Sequence, residues 1–186
     1  YFISFDDNHI GEIEFAGMVL KNRLGTAAGL DKNGDYIDAL GGLGFGFLEV
    51  GTVTPLPQYG NAKPRIFRNY KENSIITRLG FNNKGVDHLL KNLKKRKYKG
   101  ILGVNIGANK DSSGNQRIND YLICLEKVNK YADYITINIS SPNTPNLRDL
   151  HSEANLAKLI NEVDRAVEDF KINIPIFIKI SPDEKN

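Results

Sequence analysis

Apolar residues along this chain follow two different rhythms. Five short, near-continuous apolar runs recur: Leu24 to Ala28, Phe45 to Val50, Ile101 to Val104, Tyr134 to Ile137 and Ile174 to Ile178. β-Branched and apolar residues without alternation suit strands buried on both faces, as in parallel sheets. Between the runs, apolar residues fall at i, i+3, i+4, i+7 spacing and predict amphipathic helices. Val86, Leu89, Leu90 and Leu93 form one such stripe. Ile118, Tyr121, Leu122 and Leu125 form a second, and Leu156, Leu159, Ile160, Val163 and Val167 a third. A weaker pattern, Tyr36, Ile37 and Leu40, precedes Gly41-Gly42-Leu43-Gly44, which reads as a helix stop. Strands alternating with helices predict βαβ units and an α/β fold.

Each apolar run closes on small or polar residues: Gly29, Gly51-Thr52, Asn105, Asn138 and Lys179. A (β/α)8 barrel collects its active site from every strand end, whereas a doubly wound sheet concentrates its ligand at one switch point. The pattern therefore favours the barrel. A barrel needs about 250 residues, so the 186 residues hold an incomplete one, about five of eight units, within a single domain. One connection is long, Thr52 to Thr77, with Pro55, Pro57, Gly60 and Pro64; loops of that length are usually functional or mobile.

Bulk properties narrow the picture. The chain is 40% hydrophobic and 25% charged, ordinary for a globular protein, and its net charge of +3 does not by itself imply a nucleic-acid partner. The single cysteine, Cys124, lies in an apolar helical stretch and is expected to be a small buried hydrophobe. No run approaches the roughly 20 apolar residues of a membrane span. The first residues are no signal peptide and lack a starting methionine, and both ends read as cuts within a longer chain.

Several motifs have plain structural readings. Gly41 to Gly46 precedes a strand instead of linking a strand to a helix, so it lacks the placement of a dinucleotide-binding loop. The basic cluster Lys91 to Lys99 is expected to be a solvated helix end favoured by the macrodipole, with RNA or anionic lipid as the alternative. His9, His88 and His151 show neither metal-ligand spacing nor a hydrolytic triad, so no metal site is expected.

Two segments carry chemistry. Ala27-Ala28-Gly29-Leu30-Asp31-Lys32 puts small residues at a strand end, where backbone approaches a planar ligand closely, with a cation beside it; a plain glycine turn is the alternative. Asn138 to Arg148 is a polar loop stiffened by Pro142 and Pro145, suited to orienting a small polar ligand. Asn105, Asn138 and Lys179 add two amides and an ammonium at strand ends. That lining suits a ligand with paired donors and acceptors and a site of developing negative charge.

From about Met18 to Pro182 the chain resembles the dihydroorotate dehydrogenases, specifically the class 2, quinone-reducing, membrane-associated type. The resemblance rests on Ala27 to Lys32, Gly51-Thr52-Val53-Thr54-Pro55, Gly60 to Arg68, Gly80-Phe81-Asn82-Asn83 and the loop from Asn138 to Arg148. It implies a (β/α)8 barrel holding FMN at the C-terminal ends of its strands. Ala28, Gly29, Lys32, Thr52, Asn105, Asn138 and Lys179 would form this half of the flavin site. Lys179 would stabilise charge near the flavin N1 and C2 carbonyl. Lys32, Asn138, Asn143 and the loop Thr77, Arg78, Leu79, Gly80 and Phe81 would hold the substrate ring and its carboxylate.

The implied reaction oxidises dihydroorotate to orotate in UMP synthesis, with electrons passed to quinone. Ser141 matches the family's catalytic base, which takes the C5 proton while hydride leaves C6 for flavin N5. Thr144 and Phe81 match a water path that would relieve the weak basicity of serine. Ser140 is the neighbouring candidate. Class 1 enzymes, which use fumarate or NAD, place cysteine at the position of Ser141. Two residues depart from the family pattern: Thr77 stands where asparagine is usual, and Asn146 where glycine is usual. A threonine cannot reproduce both hydrogen bonds of an amide. The resemblance also places this chain at the N-terminal part of the barrel. The last strands with the flavin phosphate site and the N-terminal membrane-docking helices would lie outside it, and Ile10 to Met18 would form a short hairpin at the barrel base. Peripheral attachment to an inner membrane, bacterial or mitochondrial, follows from the resemblance, as does poor FMN binding by this piece alone. A non-catalytic half-barrel is the reading from another class.

Overall fold

The structure is a computed structural model that describes residues 11–142 and 147–181. The described part opens with a small antiparallel hairpin of β1 (Ile13–Phe15) and β2 (Met18–Leu20), in register Ile13 to Leu20, so the hairpin expected over Ile10 to Met18 forms further along and runs on to Leu20. A short helix, α1 (Ile37–Gly41), leads to β3 (Phe47–Val53). A second hairpin, β4 (Ile66–Asn69) and β5 (Ser74–Thr77), precedes α2 (Val86–Lys95) and β6 (Ile101–Ile106). Then come α3 (Gly114–Val128), β7 (Tyr134–Asn138), a 3-10 turn at Leu147–His151, α4 (Glu153–Asp169) and β8 (Ile176–Lys179).

The central sheet is parallel throughout and ordered β3-β6-β7-β8. Each later strand joins the same side of the sheet as its predecessor, without the reversal that a doubly wound sheet requires. This is the order of a barrel growing around its axis, and the fold is a partial (β/α)8 barrel. One face of the sheet buries Leu48, Val50, Leu102, Val104, Ile106, Ile135 and Ile137 against Val86, Leu89, Leu93, Tyr121, Cys124, Leu125 and Leu159 of the helices. Each such side chain taken fully from water contributes about 1.5–3 kcal/mol. The opposite face, the barrel interior, carries Glu49, Asn105, Thr136, Asn138 and Lys179. Phe15 of the first hairpin stacks on Phe177 of β8 with ring centroids 5.7 Å apart, so the hairpin closes the base of that face.

Four sequence expectations need correction. The run Leu24 to Ala28 is not a full strand; it makes one parallel bridge, Gly25 to Phe47, with the Thr26 N–H donating to the Phe47 carbonyl at 3.2 Å. The Asn22 side chain diverts the backbone there. Its Oδ1 accepts from the N–H groups of Leu24 and Gly46, and its Nδ2 donates to the Gly44 carbonyl. The second strand starts at Phe47 and runs on through Gly51-Thr52 to Val53, past its expected end at Val50. The long connection Thr52 to Thr77 contains the β4–β5 hairpin. Its apolar residues sit in adjacent, exposed pairs, Ile66-Phe67 and Ile75-Ile76, so no period-2 signal marks it. Ile160, placed on the core stripe of α4 by its spacing, is 37% exposed.

Several of these motifs have local structural surroundings. Cys124 is fully buried, and burial pushes its thiol pKa up. The basic cluster closes α2: Lys94 lies over the Tyr131 ring at 5.6 Å, and Arg96 stands 4.0 Å from Asp133. His88 Nε2 is 2.7 Å from Asp35 Oδ1, and His151 Nε2 donates to the Ile139 carbonyl at 2.9 Å. Asp35 is held at about 2: desolvation pushes it up, but hydrogen bonds from His88, Lys84 and Asn92 outweigh that. His9, Asn143, Thr144 and Asn146 lie outside the described residues.

Candidate active site

The strand ends of the inner face build a polar column from the sheet upward. At its foot, register places Glu49 beside Gly103 and Gly103 beside Tyr134. A Cβ on Gly103 would stand 2.0 Å from Tyr134 Cζ, so only glycine lets the tyrosine ring lie across β6. The Tyr134 hydroxyl thereby donates to Glu49 Oε2 at 3.1 Å, and the Thr136 hydroxyl donates to the same oxygen at 3.0 Å. Burial and the Glu49 charge both push the Tyr134 pKa up, so this phenol stays a donor. On the other carboxylate oxygen, Oε1 accepts from Asn105 Nδ2 at 2.9 Å.

The column continues to the rim. Thr52 Oγ1 donates to Asn105 Oδ1 at 2.6 Å and accepts from Asn138 Nδ2 at 3.1 Å. Asn138 Oδ1 then accepts from the Ser140 N–H at 3.0 Å and its hydroxyl at 2.9 Å. The Asn138 carbonyl is held from the helix layer by the buried Tyr121 hydroxyl at 2.9 Å. Thr52, Asn105 and Asn138 are all buried. Three strand ends are thus tied into one hydrogen-bonded wall.

A second wall comes from the chain after Ala28. The Gly29 N–H donates to the Gly51 carbonyl at 2.7 Å, and the Gly51 N–H donates to the Asp31 carbonyl at 2.9 Å. The buried Asp31 carboxylate accepts from the backbone N–H groups of Asn33, Asp35 and Tyr36 at 3.3, 3.0 and 2.8 Å, which winds this loop into a fixed turn. Lys32 is positioned by that turn. Burial, with the nearby Arg65 charge, lowers its pKa from 10.5 to about 8. Gly29 has φ of +110° with no atom within 4 Å of a would-be Cβ, so the backbone itself forms an open surface.

The third side is the segment after β5. Phe81, at φ of +51°, is buried, and Gln58 Nε2 donates to the Gly80 carbonyl at 3.1 Å to hold the turn. Asn83 reinforces it, its Nδ2 donating to the Phe81 carbonyl at 2.7 Å and to Thr54 Oγ1 at 2.8 Å.

These walls enclose a cleft of about 390 Å³. Ala28, Gly29 and Lys32 line one side; Thr77, Leu79, Gly80 and Phe81 another; Thr52, Asn138, Ser140, Ser141, Pro142, Lys179 and Ser181 the rest. Eleven residues singled out from the sequence therefore meet in one place: Ala28, Gly29, Lys32, Thr52, Thr77, Leu79, Gly80, Phe81, Asn138, Ser141 and Lys179. Asn105 stands behind Thr52, one hydrogen bond from the cleft. Arg78 turns away: its guanidinium donates to the Pro64 carbonyl at 3.0 and 3.2 Å and lies 5.8 Å from the Phe67 ring centroid. It thereby staples the β4–β5 hairpin. Asn143 is outside the described residues.

A larger hollow of about 510 Å³ lies lower on the inner face, lined by Phe15, Phe47, Phe177 and Tyr134 among others, and is almost wholly apolar. It is barrel interior; its polar members, Glu49, Tyr134 and Thr136, are bonded to one another, and Lys179 borders both this hollow and the smaller cleft. Glu49 carries a sequence signal of its own, a carboxylate inside the apolar run Phe45 to Val50, because a charge drawn in from water needs partners.

The cleft suits a flat heterocycle with alternating donors and acceptors. The bare Gly29 backbone gives it a surface to lie on, the hydrogen-bonded column meets its polar edge, and Lys32 and Lys179 supply positive charge. The donor set fits FMN. Among the described residues no group of three or more His, Cys, Asp or Glu could hold a metal ion, and no helix is long and apolar enough to cross a membrane.

Comparison with known proteins agrees with this geometry. A protein from Buchnera aphidicola named dihydroorotate dehydrogenase (quinone) is 54% identical over 176 residues, covering 92% of this chain and 52% of its own length. One of the same name from Saccharophagus degradans is 53% identical over 175 residues, with the same coverage of both chains. The crystal structure of an Eimeria tenella DHODH in complex with ferulenol superposes with a TM-score of 0.88 at 34% identity, covering 100% of this chain and 56% of that one. The chain thus spans about half the length of the relatives it matches. The sequence pattern of the dihydroorotate dehydrogenase family matches residues 11–186, and the chain belongs to that family.

Proposed function

We propose that these residues are the N-terminal part of a single (β/α)8 barrel domain, and that the full-length protein oxidises dihydroorotate to orotate in pyrimidine synthesis. FMN is the cofactor, a quinone accepts the electrons, and the protein sits peripherally on an inner membrane where quinone is dissolved. The observation that carries this reading is the convergence of Lys32, Thr52, Asn138, Ser141 and Lys179 on one 390 Å³ cleft at the C-terminal strand ends.

FMN, when bound, supplies the two-electron acceptor. Ala28, Gly29, Thr52, Asn105, Asn138 and Lys179 hold it, and the Lys179 ammonium favours negative charge developing at that edge. Lys32 offers a partly desolvated cation to the substrate carboxylate, where an ion pair is stronger than in water. Thr77 to Phe81 close over the substrate and exclude water. Ser141 takes the C5 proton. Its serine chemistry favours the quinone-linked class over the fumarate- or NAD-linked one. The names of the Buchnera and Saccharophagus relatives support the same choice.

The test is anaerobic addition of dihydroorotate to the full-length flavoprotein. Its flavin absorption should bleach and return with a quinone and not with fumarate. Recovery with fumarate would assign the class 1 type instead. No bleaching would leave a non-catalytic barrel.

A further inference from the structure

We infer that Glu49 is a positioning residue that sets the donor–acceptor sense of the Asn105–Thr52–Asn138 chain, and so which polar groups the wall offers to the bound flavin. The inference rests on the flavin reading of the cleft. Glu49 lies one layer below the rim and lines the interior hollow instead of the cleft.

Hydrogen-bond direction propagates from Glu49 along the wall. An ionised carboxylate only accepts, whereas an amide has one donating and one accepting end that are interchangeable in shape. Glu49 Oε1 therefore obliges Asn105 to turn its Nδ2 downward, at 2.9 Å. Asn105 Oδ1 must then face Thr52, whose hydroxyl proton is committed to it at 2.6 Å. With that proton used, Thr52 Oγ1 meets Asn138 only as an acceptor, and Asn138 presents its Nδ2 at 3.1 Å. The Ser140 backbone N–H, a donor at the far end, requires the same orientation of Asn138.

Without the carboxylate, Asn105 is free to reverse. Two amide donors would then converge on one threonine oxygen, and the Thr52 proton would lose its acceptor. Tyr134 and Thr136 hold Glu49 for this task by occupying Oε2, which leaves Oε1 for Asn105. The packing of Tyr134 over Gly103 makes that possible.

The test uses the full-length flavoprotein with two substitutions. Glu49→Leu keeps bulk and removes the acceptor. It should weaken FMN affinity by about 10–100-fold, as loss of outer partners does at other liganding sites, and shift the visible flavin bands. Glu49→Gln can turn its carbonyl to Asn105 while its amide faces the rotatable hydroxyls of Tyr134 and Thr136. It should restore the bands and bring affinity within about threefold of the parent, since the acceptor is kept. Leucine and parent proteins with the same bands and affinity would overturn the inference. So would a glutamine variant no better than leucine, or, should the leucine variant not fold, a glutamine variant that loses FMN. A parent protein that is colourless and takes up no FMN would overturn the flavin reading itself, and this inference with it.

Discussion

Asn138 Nδ2 donates to Thr52 Oγ1 at 3.1 Å, joining the ends of β7 and β3 across the intervening strand β6. Both side chains are buried. Thr52→Val keeps the volume but strands Asn138 Nδ2 and Asn105 Oδ1. Each buried polar group left unpaired costs about 1–3 kcal/mol. The full-length variant should show a lower urea midpoint and weaker FMN retention. An unchanged midpoint with full flavin content would mean the wall is not held by this bond.

Gly103→Ala probes the same column from below. The new Cβ would fall 2.0 Å from Tyr134 Cζ, so ring or strand must shift. Overpacking of this kind costs about 1–3 kcal/mol, and it withdraws the Tyr134 hydroxyl from Glu49. Thermal unfolding should register the loss, and replacing Tyr134 by a smaller residue in the same protein should recover part of it.

Lys32 gives the site a pH dependence. Its folded-state pKa is lowered from 10.5 to about 8, so the ammonium is present below about 8 and is lost above it. Affinity for a substrate-like carboxylate should therefore fall as pH rises through about 8, later when the bound anion itself favours the charged form. The ligand-free protein behaves in the opposite sense. The cost of burying this charge is present below about 8 and relieved as pH climbs toward 10.5, so this group adds stability across that window. Titration of orotate binding between pH 6 and 10 checks the first effect; affinity independent of pH would remove Lys32 from carboxylate binding.

Ser141→Ala in the full-length protein should slow proton abstraction by about 10²–10⁴-fold, the range for loss of a positioned general base. Rapid-mixing measurement of flavin reduction reads it directly. Ser140→Ala should have a smaller effect, because the Ser140 hydroxyl donates to Asn138 Oδ1 at 2.9 Å and its backbone N–H makes a bond to the same atom. Equal effects of the two changes would contradict the assignment.

Thr77→Asn restores the amide that the family usually carries at this corner of the cleft. One added hydrogen bond is worth about 0.5–1.5 kcal/mol, so the substrate KM should fall several-fold with little change in kcat. A higher KM would show that the surrounding loop has adapted to threonine.

How much of this was legible in the chain itself can be judged element by element. Continuous apolar runs and 3.6-residue spacing marked three of the four strands of the sheet at the right places, and α2, α3 and α4, because those elements bury one side in a common core. Long motifs with specific residues identified the family and most of the cleft lining, because a ligand site needs particular groups at particular strand ends. Elements whose partners come from elsewhere were not legible. Leu24 to Ala28 looks like a strand, yet the Asn22 amide takes the Leu24 N–H and the segment keeps a single parallel bridge to Phe47. The β4–β5 hairpin is exposed and carries no burial pattern. Arg78 reads as a substrate contact but is claimed by the Pro64 carbonyl.

Periodicity and motif identity are local properties of the chain, and the sequence by itself determined the fold class, the family and most of the residues that gather in the cleft. Direction and pairing are not local. Only the tertiary structure decided that Glu49 faces Asn105 on the neighbouring strand, that Tyr134 reaches over Gly103, and that Lys32 is half-buried within reach of the Arg65 charge. A hydrogen bond between β3 and β7 depends on register and on which face each side chain takes, and those are set when the strands assemble, not along any one of them.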